Sequence, residues 1–81
     1  MTRASFIRWA MGAGMVRKNT PDRIYFYAKK AVGEVRYCVS QLSVIVQLKL
    51  DGKWVRWGIG YLKDMQILDK HHIQGIKQEL F

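Results

Sequence analysis

The clearest alternation of hydrophobic and polar positions lies in residues 43–61, whose sequence is SVIVQLKLDGKWVRWGIGY. Two alternating segments flank Asp51-Gly52, the dipeptide that most readily supplies the two left-handed residues of a type I′ turn. The pattern therefore predicts a β-hairpin. With that turn, Lys49 lies opposite Trp54, and the pairing of the other residues follows from theirs.

Because side chains alternate along a strand, this register assigns each residue of the hairpin to one of two faces. The predicted core face carries Val44, Val46, Leu48, Leu50, Val55, Trp57, Ile59 and Tyr61. The other face carries Ile45, Gln47, Lys49, Trp54 and Arg56. Gly58 and Gly60 also point away from the core in this register, where they allow a bulge or a close approach by another backbone.

Residues 20–40 fit two different kinds of element. A Thr-Pro-Asp segment at residues 20–22 is a helix-start signal, and the apolar residues that follow it recur at helical spacing. The β-branched and aromatic segments 24–29 and 35–40 instead indicate two strands. We slightly prefer the strands, because Gly33 within a helix costs about 1 kcal/mol relative to alanine.

The two ends of the chain carry weaker helical patterns. The pattern of residues 4–12 predicts a short helix, and an initial strand is the alternative for the same segment. The apolar side of that helix would consist of Phe6, Ile7, Ala10 and Met11. Near the other end, Asp69 is a suitable N-cap for a second amphipathic helix. The apolar face of this second helix would consist of Ile73, Ile76, Leu80 and Phe81.

These elements predict a small single α+β domain that spans residues 1–81. We expect a mainly antiparallel sheet of about three to five strands, built around the hairpin 43–61. The C-terminal helix is expected to cover the sheet, and the N-terminal helix is a second candidate for that layer. A chain of this length buries a modest core. Its 49% apolar content leaves hydrophobic surface for a partner, which favours a homodimer.

The charge of the chain is strongly positive and unevenly distributed. Fourteen Lys or Arg residues stand against six Asp or Glu residues, which gives a net charge of +8. Residues 1–63 contain twelve of the basic residues and three of the acidic ones. A field of one sign over most of a small domain attracts polyanions. Nucleic acid is therefore the first partner to consider, followed by an anionic membrane surface and an acidic protein.

Few residues suggest metal binding or catalysis. Cys38 is the only cysteine, which excludes an internal disulfide and a thiolate zinc cluster and fits a reducing, cytoplasmic location. His71 and His72 are adjacent and would point apart on a helix. The sequence contains no glycine-rich nucleotide fingerprint and no run of about 20 apolar residues. We therefore expect no catalytic residue, no metal or other cofactor, and no membrane span.

The face of the hairpin that carries Trp54 is the strongest candidate for a binding site. It places this flat ring between Lys49 and Arg56, an arrangement that suits stacking on a base beside a phosphate. Gln47 lies on the same face. Further phosphate contacts are expected from basic residues elsewhere in the chain, namely Lys29, Lys30 and Arg36. The alternative is structural: a helix packs over Trp54, and the neighbouring cations are solvated.

The sequence thus favours a non-enzymatic accessory or regulatory protein that binds nucleic acid, either single-stranded or without sequence specificity. DNA and RNA are both compatible with this function. The alternative is a small protein-interaction or inhibitor module, and the length of the chain would suit a virus or a mobile element as its source. Such a module would bind a larger partner that is acidic or that handles nucleic acid. It would present one apolar patch instead of rings that alternate with cations.

Overall fold

The computed structural model describes residues 1–79. Within them, one α-helix, α1, spans Arg3–Gly12, and a 3₁₀ turn spans Leu62–Asp64. The strands are β1 (Val16–Asn19), β2 (Ile24–Lys30), β3 (Gly33–Val39), β4 (Ser43–Leu50), β5 (Lys53–Tyr61), β6 (Gln66–Ile67), β7 (Ile73–Gln74) and β8 (Ile76–Gln78). Six of them form one antiparallel sheet in the order β1-β2-β3-β4-β5-β8, whereas β6 and β7 pair with each other. The radius of gyration of 11.8 Å matches about 12 Å, the value expected for a compact domain of this length.

The predicted N-terminal helix is confirmed as α1, and both of its ends are capped. Thr2 Oγ1 accepts a hydrogen bond from the backbone N–H of Ser5 at 3.1 Å, as an N-cap residue does. At the other end, Gly14 has a φ of +81°, and the N–H of Met15 donates to the carbonyl of Ala10. This arrangement is a Schellman motif, which ends the helix and turns the chain towards β1.

Helix α1 covers one face of the sheet through a cluster of aromatic rings. Its buried residues are Phe6, Trp9 and Ala10. The centre of the Phe6 ring lies 6.3 Å from that of Phe26 on β2 and 5.9 Å from that of Tyr37 on β3. Met11 is 55% exposed. Its predicted place on the apolar side of the helix is therefore wrong, and Trp9 is buried there instead.

Residues 24–39 form two strands, as the preferred interpretation predicted. β2 and β3 pair from end to end, with Gly33 at a φ of +128° at the start of β3. Thr20 does not begin a helix. Its Oγ1 accepts a hydrogen bond from the N–H of Arg23 at 3.0 Å, and its own N–H donates to the Arg23 carbonyl at 2.8 Å. The hydroxyl that resembles a helix cap therefore closes the turn between β1 and β2.

The predicted hairpin is present as β4 and β5. Asp51 and Gly52 have φ angles of +50° and +77°, as a type I′ turn requires. The predicted register holds from the turn as far as the pair formed by Gln47 and Arg56. Trp54 therefore lies on the side of the sheet opposite the core, as predicted.

A β-bulge interrupts the hairpin immediately beyond this point. Val46 pairs with Gly58, so Trp57 is left without a partner across the hairpin. Trp57 packs against the core, as predicted, but the following residues of β5 change face. Ile59 and Tyr61 consequently lie on the side away from the core, and their predicted place within it is wrong.

The bulge also turns Gly58 and Gly60 towards the core side of the sheet, whereas the sequence predicted the opposite side. A Cβ atom on Gly58 would lie 2.6 Å from the carbonyl oxygen of Lys77, and one on Gly60 would lie 2.7 Å from Met65 Sδ. The C-terminal segment therefore packs against β5 at distances that a side chain on either glycine would prevent. The predicted close approach of another backbone is confirmed.

The described residues do not form the predicted C-terminal helix. Asp69 Oδ1 accepts hydrogen bonds from the N–H groups of His71 and His72 at 2.8 and 2.9 Å, as a helix cap would, but the chain then turns back into β7. Gly75 follows at a φ of +107°, a conformation that an α-helix does not contain. Two residues assigned to the apolar face of that helix lie outside the described residues, namely Leu80 and Phe81.

The six-stranded sheet consequently has a covered face and an open face. The covered face packs against α1, the 3₁₀ turn and Met65. It contributes most of the buried core, namely Phe26, Val35, Tyr37, Val39, Val44, Val46 and Leu48. The open face is the opposite side of the same strands, and no helix or strand of residues 1–79 lies over it.

Candidate nucleic-acid interface

The open face carries a large share of the basic side chains. Alternation along the strands places six of them there, namely Lys18, Lys29, Arg36, Lys49, Arg56 and Lys77. Two carboxylates share this face, those of Glu34 and Glu79. Three aromatic residues stand among the cations near the centre, namely Tyr25, Tyr27 and Trp54. The open face therefore combines net positive charge with aromatic rings.

Arg36 lies at the centre of this group and connects three strands. Its guanidinium carbon lies 4.7 Å from the centre of the Tyr25 ring and 4.5 Å from that of the Trp54 ring, both within the range of a cation–π contact. Its Nε donates a hydrogen bond to Gln47 Oε1 at 2.5 Å, and Nη1 donates to the Tyr27 hydroxyl at 3.5 Å. These contacts orient the guanidinium. Of its five N–H groups, the others have no partner among residues 1–79.

Trp54 lies on the open face with no helix above it. Its ring meets the Tyr27 ring edge-on, with centres 5.7 Å apart and planes at 75°. Lys49, its partner across the hairpin, holds its Nζ 5.7 Å from the centre of the Trp54 ring. The alternative in which a helix covers Trp54 is therefore wrong. We name the residues around this ring the aromatic–arginine cluster: Tyr25, Tyr27, Arg36, Gln47, Lys49 and Trp54.

Two carboxylates neutralise part of the positive charge of the open face. Arg56 Nε lies 2.5 Å from Glu79 Oε1, and Lys49 Nζ lies 3.7 Å from Glu34 Oε2. All four side chains are between 39% and 51% exposed. Exposed ion pairs of this kind contribute only about 0–1 kcal/mol. An incoming phosphate can therefore displace either carboxylate from its cation with little loss of stability.

The structure brings four of the predicted site residues together in the aromatic–arginine cluster. They are Arg36, Gln47, Lys49 and Trp54. Arg56 shares the open face but is paired with Glu79. Lys29 is on the same face, at the end of β2, where it lies opposite Glu34. Lys30 points to the other side by alternation, so the structure does not place it with the rest.

Three further residues belong to this interface but were absent from the predicted site, namely Lys18, Tyr25 and Tyr27. Lys18 Nζ lies 5.6 Å from the centre of the Tyr27 ring. The signal for the two tyrosines is the run of aromatic residues 25–27. Phe26 is fully buried, so both of its neighbours must face the open side. The preferred strand interpretation of residues 24–29 already implies that these three consecutive rings divide between the two faces.

Other polar clusters lie away from the aromatic–arginine cluster. Hydrogen bonds from the backbone of His71 and from the ring of His72 lower the pKa of Asp69. On the open face, Arg23 Nη1 lies 3.8 Å from the sulfur of the buried Cys38, and this hydrogen bond raises the pKa of Arg23. Arg23 is a further cation at the edge of the open face. In the described part of the chain, no three His, Cys, Asp or Glu side chains are grouped to hold a metal ion.

No protein-family model, curated protein or solved structure matches this chain. Over residues 1–79, no helix has the length and apolar character needed to cross a membrane.

Proposed function

We propose that this is a non-enzymatic nucleic-acid-binding protein that holds single-stranded segments on its open face, in an accessory or regulatory role. The observation that carries this proposal is the aromatic–arginine cluster, in which rings alternate with cations on an uncovered sheet. A base that stacks on an aromatic ring contributes about 1–3 kcal/mol. A phosphate that meets a cation releases counterions and adds a salt-dependent contribution. The cluster offers both kinds of contact within one surface.

The shape of the open face favours a single strand over a duplex. Six strands at a spacing of about 4.8 Å make a surface roughly 24 Å wide, whereas the major groove of DNA is about 12 Å wide. A surface of this width does not enter the groove. The bases of a duplex also stack on one another, whereas unpaired bases are free to stack on a protein ring.

Each side chain of the cluster has a distinct role in this proposal. Trp54 is the ring on which a base stacks. Arg36 presents its unpaired N–H groups to a phosphate, and Gln47 holds the guanidinium in place through the hydrogen bond to Nε. Lys49 supplies a second phosphate contact beside the ring. Two more phosphate contacts lie along the same face, namely Lys29 and Arg56, whereas Lys30 is left out.

The alternative function, a protein-interaction or inhibitor module, has less support from the open face. It calls for a continuous apolar patch, but here the aromatic rings are interrupted by Lys18, Arg36 and Lys49. Positive charge alone would also suit an acidic protein partner. A protein that binds no oligonucleotide would therefore direct the search towards such a partner.

A binding titration with a fluorescein-labelled single strand, followed by anisotropy, tests the proposal. The strand should have about 12 nucleotides, and the salt concentration should be varied from about 50 to 200 mM. Phosphate contacts from about four cations give a slope near −2.8 for log K against log salt, which is an approximately 50-fold loss of affinity over this range. Trp54→Ala should weaken binding by roughly 5- to 150-fold, and Trp54→Phe should restore part of the loss because it keeps a ring.

Met11→Ala is a suitable control for these variants. Met11 is 55% exposed on α1, which packs on the covered face, so its replacement should leave both the fold and the affinity unchanged. Circular dichroism establishes that each variant is folded. Two results would contradict the proposal: no binding of single-stranded DNA or RNA at the lower salt concentration, or binding that does not weaken as salt is added.

A further inference from the structure

A second aromatic and basic surface lies at the far end of β5. The bulge at Trp57 turns Tyr61 onto the open face, where its side chain is 53% exposed. Ile59 and Lys77 lie on the same face, since they pair with each other across β5 and β8. Together with Lys63 they border an open hollow of about 610 Å³ beside the tyrosine.

The charge of this hollow is positive on balance. Lys63 and Lys77 border it, and Asp64 is the acidic residue at its edge. Neither lysine forms an ion pair within residues 1–79, in contrast to Lys49 and Arg56. An exposed aromatic ring and two lysines outside any of these ion pairs therefore line the same hollow, the kinds of group that are also found around Trp54.

We propose that Tyr61, Lys63 and Lys77 form a second stacking and phosphate-binding site for the strand that occupies the aromatic–arginine cluster. The strand then runs along β5 from Trp54 to Tyr61. This inference rests on the proposed function, because the second site has a role only if a single strand binds the first. The second site also depends on the bulge, since an unbroken register would place Tyr61 on the covered face.

The separation of the two rings sets the length of strand that can reach both. Trp54 and Tyr61 pair with Lys49 and Ser43, which lie six residues apart on β4, so the two rings are roughly 20 Å apart along the sheet. A stacked strand advances about 3.4 Å per nucleotide and covers this distance with about seven nucleotides, while an extended strand needs fewer. Arg56 lies between the rings on the same face, where its pair with Glu79 can yield to a phosphate.

The experiment compares thymidine oligonucleotides of about three and about eight nucleotides, both labelled and followed by anisotropy. The shorter strand is too short to stack on both rings even when it is extended, and the longer one spans them. Tyr61→Ala should weaken binding of the longer strand by roughly 5- to 150-fold and leave that of the shorter strand unchanged. Tyr61→Phe should bind both strands like the wild type, because the ring is kept.

Charge variants test the phosphate contacts of the second site independently of the ring. Lys77→Gln should reduce the slope of log K against log salt by about 0.7 for the longer strand only. Lys70→Gln is the matched control, because Lys70 borders a different hollow beside Trp9 of α1, and it should leave the slope for the longer strand close to that of the wild type.

The possible results separate this inference from the function on which it rests. If Tyr61→Ala has no effect, or the same effect on both strand lengths, the second site is refuted while binding at Trp54 stands. If the wild type binds neither strand and a 12-nucleotide strand also fails to bind, the proposed function is refuted, and the second site with it.

Discussion

Replacing Arg36 separates the two tasks that this side chain performs, which are to hold the open face together and to meet a phosphate. Arg36→Lys keeps the positive charge, whereas Arg36→Gln removes it. Neither replacement can form a flat guanidinium layer between Tyr25 and Trp54 or donate the hydrogen bond from Nε to Gln47. Lysine and arginine are therefore not equivalent at this position.

The contacts of Arg36 indicate how much stability each replacement removes. The two cation–π contacts, at 4.7 and 4.5 Å, contribute about 0.5–1 kcal/mol each at a partly exposed site. The hydrogen bond from the charged guanidinium to Gln47 adds about 1.5 kcal/mol. Arg36→Gln should therefore lower the free energy of unfolding by about 2.5–3.5 kcal/mol. Arg36→Lys should lower it by less, because an ammonium group still attracts both rings.

The same two variants should differ in the salt dependence of binding. Loss of one phosphate contact changes the slope of log K against log salt from about −2.8 to about −2.1. Between about 50 and 200 mM salt, the Arg36→Gln variant should then lose roughly 18-fold in affinity, against roughly 50-fold for the wild type. Arg36→Lys should keep the wild-type slope with a weaker overall affinity. Anisotropy with the labelled strand measures both slopes, at a temperature where denaturation curves show each variant to be folded.

Equal slopes for the wild type and both variants would refute the reasoning about phosphate. Arg36 would then be a structural residue that only supports the rings. Wild-type stability of Arg36→Gln would refute the reasoning about folding, since it would show that the contacts of Arg36 with Tyr25, Trp54 and Gln47 contribute little to the free energy of unfolding.

Two further predictions concern the covered face. Gly58→Ala should lower the free energy of unfolding by about 1–3 kcal/mol in urea denaturation, because its Cβ would lie 2.6 Å from the Lys77 carbonyl oxygen. Gly12→Ala is the control and should not lower it, since no atom lies within 4 Å of the added Cβ. Equal effects of the two substitutions would contradict the close packing of β8 against Gly58. Burial raises the pKa of Tyr37 above its usual value of 10.0, so the unfolded chain ionises first and stability should fall as pH rises above about 10. Tyr37→Phe should remove the part of this loss of stability that comes from ionisation of Tyr37. Identical profiles of unfolding free energy against pH for the two proteins would disprove this prediction.

The correct and incorrect parts of the predicted hairpin differ in the range of the interactions that determine them. The Asp51-Gly52 turn is a local feature, and it determines the pairing as far as Gln47 and Arg56. Beyond the bulge, Gly58 lies against the distant strand β8, where a Cβ atom would be 2.6 Å from the Lys77 carbonyl oxygen. Nothing within the hairpin sequence specifies that neighbour, so the faces of the later residues could not be assigned from alternation alone.

The structure of the C-terminal segment also depends on distant residues that a local sequence pattern does not reveal. Asp69 forms the local hydrogen bonds that a helix cap forms, and the sequence therefore predicts a helix. The segment instead becomes two short strands, because Ile76 pairs with Gly60 across the sheet and Gly75 adopts a positive φ before it. Such pairing joins residues far apart in the chain, and it overrides the local preference that Asp69 provides.

The candidate site could be predicted where it depends on the hairpin and not where it depends on other strands. Trp54 and Lys49 are cross-strand neighbours next to the turn, so the local register was sufficient to place them together. The contacts of Arg36 with Tyr25 and with Trp54 required the order β2-β3-β4-β5, which the sequence did not specify.

The division between the two faces determines which substitutions can separate binding from folding. The buried core lies almost entirely on the covered face, where Phe6 of α1 packs on Phe26 and Tyr37. Lys49 and Arg56 form exposed ion pairs on the open face, and Lys49 adds one contact at 5.7 Å from the centre of the Trp54 ring. Removing their charges should therefore alter binding with little effect on stability. Arg36 is different, because its contacts with two rings and Gln47 orient the guanidinium before any ligand arrives. A side chain that is already ordered loses little conformational entropy on binding, so the cost of ordering the cluster is met during folding.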